Sequence, residues 1–129
     1  MRIPHRVRIN LPLVVGRPTS SAQRGAAILR FWEVAYRVQI ELSELLVGAR
    51  RRLERRVISD MLLRVGDPMI CTTLYQRAFT QETRDDMIMN VNEMQAIASR
   101  DDTRGPVRDA CKVAIGRMIR AYEDLAYEM

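Results

Sequence analysis

Lysine is nearly missing: of 21 basic residues, Lys112 is the only one that is not arginine. His5 is the sole histidine, and aromatic residues make up 5% of the 129-residue chain. Each scarcity excludes something. A Ser-His-Asp or Cys-His arrangement would depend on His5, which stands beside Pro4 at the start of the chain. Metal-ligand spacings such as CxxC, HExxH or Glu-x-x-His do not occur. Phosphate loops of the GxxxxGK[ST] kind are missing too, and the expectation for cofactors and metals is none. Aromatic side chains are too few and scattered for a base-stacking platform. No run approaches the roughly 18 apolar residues of a membrane-spanning helix, so integral membrane association is not expected. Six glycines, five prolines and no repeat exclude fibrous and linker-type chains.

Apolar residues at 47% and charged residues at 29% give a globular ratio, at a length suited to one core. Cys71 and Cys111 stand far apart with no apolar secretory signal before them. The expected setting is therefore cytoplasmic, or inside a virion or other assembly, with two free thiols. Both fall on apolar stripes, where a thiol is usually an inert core residue. An acid-free opening with arginines, Ser20 and Ser21 also has the composition of an organellar transit peptide.

The net charge of +5 is unevenly spread. Six arginines precede the first acid, Glu33. Residues 50–56 read RRRLERR, placing Arg50, Arg51, Arg52, Arg55 and Arg56 around Glu54. Residues 80–102 reverse the balance with Glu82, Asp85, Asp86, Glu93, Asp101 and Asp102. An arginine-for-lysine bias follows from GC-rich codons as readily as from phosphate binding. A molecule with basic and acidic ends can bind an anionic polymer or pair head to tail with its own copies.

Residues 1–18 are expected to form an extended basic arm. Val7, Ile9 and Leu11 alternate with Arg6, Arg8 and Asn10, the period of a strand with one apolar face. Pro4, Pro12 and Pro18 restrict it to an edge. No second strand is evident, so it needs a groove on the bundle, a symmetry mate or water.

Residues 19–129 are expected to form a single helical domain, an all-α bundle of four to five helices. Thr19, Ser20 and Ser21 supply capping hydroxyls. A long central helix follows towards Val57, with Ile28, Trp32, Ala35, Leu42, Leu46, Ala49, Leu53 and Val57 as its stripe. Phe31, Val34 and Val38 widen it on one side, and Ile40 and Val47 lie on another. Unbroken, it would be roughly 55 Å long, so it should kink near Gly48 or project. The pattern ends at Gly66-Asp67-Pro68, and a short helix reaches about Phe79. Thr80 caps the next helix, with Met87, Val91, Met94 and Ala98 as its stripe. Gly105-Pro106 starts the last, with Val107, Cys111, Ala114, Met118, Tyr122 and Leu125. Short connections make neighbours antiparallel.

These features point to a non-enzymatic assembly protein, a homo-oligomeric structural or adaptor subunit. Its partner contacts are expected at Val7, Ile9, Leu11, Phe31 and Trp32, with a second copy or another protein as partner. Eight methionines would add adaptable apolar surface. The alternative is a nucleic-acid-binding protein, of coat type or a small regulator. It would meet RNA or DNA phosphates, or an acidic protein surface, through Arg50, Arg51, Arg52, Arg55 and Arg56.

Overall fold

A computed structural model of the chain describes residues 9–11, 20–65, 79–100, 103 and 105–128. Four helices account for most of them: α1 (Ser21–Gly48), α2 (Arg52–Arg64), α3 (Gln81–Ala98) and α4 (Gly105–Glu128). No strand occurs among the described residues. The architecture is an all-α helical bundle. None of these helices is long and apolar enough to cross a membrane. The helix expected over 68–79 lies outside the described residues, apart from Phe79, which is buried and not helical.

Each start has a local cause. Ser20 caps α1 in a reciprocal box: its hydroxyl accepts from the Gln23 N–H at 3.2 Å, and Gln23 Oε1 accepts from the Ser20 N–H at 3.3 Å. Thr80 caps α3 through the Thr83 N–H at 3.2 Å. Gly105 opens α4 with φ +57°, a backbone conformation that side-chain-bearing residues rarely adopt.

The expected long helix is two helices, parted just after Gly48, where a kink was one of the two expected outcomes. Ala49 (ψ 127°) and Arg51 (ψ 136°) are extended, and α2 folds back against α1. No proline or left-handed glycine forces this break. Burial explains it: a straight continuation would carry Val57, Ile58 and Met61 away from the core that they now enter.

The helices close a ring, α1 beside α2, α2 beside α3, α3 beside α4 and α4 beside α1, with α2 and α4 also touching across the middle. Cross-links give the directions. Arg30 pairs with Glu128 and Arg117 with Glu41, so α1 and α4 are antiparallel. Arg64 pairs with Glu93 and Arg100 with Asp60, so α2 and α3 are antiparallel. At such exposure each pair adds about 0–1 kcal/mol, and fixes register more than stability.

The core is one cluster, with Met61, Met87, Met94 and Met118 inside it. These four methionines are core, and Met89 is the exposed one among the described residues. At the centre Asn90 donates from Nδ2 to Tyr122 Oη at 2.8 Å and to the Arg64 carbonyl at 2.9 Å. Tyr122 in turn stacks on Phe31, with centroids 5.2 Å apart. Those contacts join all four helices. Gln39 Nε2 donates to the Val65 carbonyl at 3.3 Å, so side chains from α1 and α3 satisfy two carbonyls at the end of α2. Asn90→Ala should cost about 2 kcal/mol, because it removes both hydrogen bonds of a buried amide and leaves its place in the core unfilled; urea denaturation measures it.

Candidate interaction surfaces

Among the residues expected to contact a partner, Val7 lies outside the described residues. Ile9 and Leu11 pack on this chain's own core, Leu11 at 8% exposure. Of the mates open to the arm, the described part takes a groove on its own bundle. Phe31 is 3% exposed and stacked on Tyr122, so its ring is taken up inside the subunit. Trp32, its neighbour, remains 37% exposed.

The reason is the orientation of α1. Its buried line is Ala27, Ile28, Phe31, Ala35, Val38 and Leu42. At about 100° per residue, that line centres near Phe31, and Trp32 points well away from it. A second apolar line runs along the outer side: Leu29 (63% exposed), Trp32, Tyr36 (61%), Ile40 and Val47 (86%). On a helical wheel these residues and Ser43 fall within a sector about 80° wide. That sector contains no charge. Scattered exposed apolar residues are ordinary, but a contiguous aligned patch marks a contact surface.

The arginine cluster has a second unexpected setting. A continuous helix would have placed it near a carboxyl end, where cations offset the dipole. Because the chain breaks at 49–51, it stands at the amino end of α2 instead. Arg51 is the cap residue and makes no capping side-chain bond. Cations here oppose the positive end of the helix dipole. By contrast, α3 begins with Glu82, Asp85 and Asp86, as the dipole favours.

Arg50, Arg51, Arg52, Arg55 and Arg56 are all exposed, and none forms an ion pair with the described residues. Arg55 donates to the Ala49 carbonyl at 3.2 Å. The acids of 80–102 are engaged elsewhere in part, since Glu93 pairs with Arg64. Antiparallel topology brings the start of α4, with Arg108 and Lys112, to the same end of the bundle. The far end gathers Glu82, Asp85, Asp86, Glu123 and Asp124 among Arg24, Arg84 and Arg120. Among the described residues the fold thus sets a strongly basic end against a mildly acidic one.

Other features offer less chemistry. Cys111 is fully buried, and burial pushes its thiol up from 9.0 to about 11. It therefore stays protonated at neutral pH, opposite to a nucleophile's need. Cys71 lies outside the described residues. A groove of about 400 Å³ between α2 and α3 includes Asp60, Arg64, Glu93 and Arg100, whose charges neutralise one another in pairs. No group of three or more metal-ligating side chains occurs among the described residues. Comparison with protein-family models, curated proteins and solved structures finds no match to this chain.

The sequence pattern put Trp32 in the main α1 stripe and Phe31 only at its side, and Asn90 was not singled out. Asn90 carried a signal: a polar residue between Met87 and Met94 on an otherwise apolar stripe. Arg51→Asp supplies a cap and a favourable charge, so it should stabilise the fold by about 1 kcal/mol, read from the urea midpoint. The Cys111 thiol loses more by ionising in the folded state than in the unfolded chain. Its contribution is complete below pH 9.0 and declines as pH rises towards about 11; denaturation across that window, against Cys111→Ala, isolates it.

Proposed function

We propose that this chain is a non-enzymatic assembly protein, a homo-oligomeric structural or adaptor subunit. The observation that carries the reading is the exposed, charge-free apolar line on α1. Leu29, Trp32, Tyr36, Ile40 and Val47 lie outside the chain's own core, on the helix's far side. Burying such a surface yields roughly 25 cal/mol per Å² removed from water, less the cost of association. Trp32 is the anchor of this surface, since a partly exposed tryptophan offers large area at small entropy cost. Ile9 and Leu11 pack on the subunit's own core. Its setting is the cytoplasm or the interior of an assembly.

A second reading has its own support: a nucleic-acid-binding protein using Arg50, Arg51, Arg52, Arg55 and Arg56 on phosphate. Exposed arginines that form no ion pair among the described residues, crowded against the positive end of α2, form a surface that an anion relieves. The two readings coexist in a coat that packages RNA or DNA.

Light scattering of the full chain at about 100 μM should return at least twice the 14.9 kDa of one copy. A strictly monomeric mass at that concentration would contradict the assembly reading. For the second reading, five phosphate contacts give a slope of log affinity on log salt of roughly −4.5. Replacing Arg51, Arg52, Arg55 and Arg56 by glutamate should abolish binding to duplex DNA or RNA. Retention of binding and of its salt dependence would remove these arginines from the account.

A further inference from the structure

The outer stripe of α1 is complementary to itself. Leu29 and Val47 stand about five turns apart, so they lie nearly in line along the helix axis. Reversing the helix about residue 38 exchanges Leu29 with Val47 and Tyr36 with Ile40. Trp32, the bulkiest member, then falls level with Glu44 at the edge of the sector, and Ser43, the small member, is the stripe residue beside it. A two-fold interface requires such self-complementarity, because the same patch serves both subunits.

Charge selects the direction. The α1 helix runs from the acidic end of the bundle towards the end bearing Arg50, Arg51, Arg52, Arg55 and Arg56. A parallel pair would set arginine against arginine and Trp32 against Trp32. An antiparallel pair sets the basic end of each subunit beside the partner's acidic end, with Glu82, Asp85, Glu123 and Asp124. Area supports the same occupant. The stripe exposes on the order of 500 Å², the upper range for a lone monomer. A standard interface takes roughly 800 Å² from each side, and flanking Gln39, Glu44 and the facing ends supply the difference.

We infer that a second copy of this chain covers the stripe, the two α1 helices antiparallel about a two-fold axis near residue 38. This rests on the assembly reading and specifies its seam. The test uses full-length chains. Leu29→Cys and Val47→Cys, purified separately and mixed under mild oxidation, should form a disulfide-linked dimer. Neither alone should exceed the unaltered chain, whose Cys71 and Cys111 make it the blank. In parallel, Ile40→Glu should raise the dimer dissociation constant about a hundredfold or more, with circular dichroism unchanged. Val113→Glu, at an exposed apolar position on α4, should leave it unaltered.

An oligomeric wild type that ignores Ile40→Glu, or Leu29→Cys linking to itself, overturns the seam and leaves the assembly reading standing. A monomeric wild type overturns both. Should Ile40→Glu lose helicity, the mixed-cysteine cross-link still decides.

Discussion

The Asn90 side chain is the point on which the bundle's register depends. It reaches from α3 to the last carbonyl of α2 and to the hydroxyl of Tyr122 on α4, whose ring lies on Phe31 of α1. Apolar burial alone tolerates sliding, since one leucine serves another's position at little cost. A buried amide does not, because every misregistered arrangement leaves polar groups unpaired. Four helices meeting at one hydrogen-bonded junction have one depth at which they fit. The peripheral ion pairs agree with that register, but at their exposure they could not impose it.

The antiparallel ring then decides what the surface becomes. Sequence segments that are basic or acidic along the chain would be averaged out by an arbitrary fold. Here the second turn of the chain puts residues 50–56 and the start of α4 at one end, and the starts and ends richest in acid at the other. The break at 49–51 has a further consequence. It moves the arginines from the trailing part of one helix to the leading edge of another, reversing the sign of their interaction with the backbone dipole. Folding has no use for that arrangement, and an N-cap aspartate would serve it better.

Much of the architecture was legible because it is local. Ser20 and Thr80 cap where hydroxyls precede apolar periodicity, Gly105-Pro106 starts a helix, and every stripe residue assigned to α3 and α4 is buried. What was less legible has a different cause. The length of the helix called for a kink near Gly48 or a projection, but nothing in Ala49-Arg50-Arg51 forbids a helix, and the chain turns there because Val57, Ile58 and Met61 gain by turning. Likewise α1 is apolar on two sides, and periodicity cannot say which side faces in when both have the helical repeat. Phe31 and Trp32 were therefore indistinguishable as neighbours, although one lies in the core and the other outside. Of the expected arm only residues 9–11 are described, and there Ile9 and Leu11 pack on the bundle itself.

Two apolar sides on one helix are hard to explain by folding alone. The inner side of α1 already has Ala35 and Val38 in full contact, so the more exposed outer line adds less to the subunit's stability. Outward leucine, tyrosine and valine also raise the risk of nonspecific association. Neutral drift would interrupt such a line with arginine or glutamate, which the chain places freely at Glu33, Arg37 and Glu44 on the adjacent strip. Charge comes close to the line and stays off it along its whole length. The dry contact proposed above would require that boundary, and the same requirement would keep the far larger charges of the bundle's ends beyond the seam, where they would orient partners without having to be desolvated.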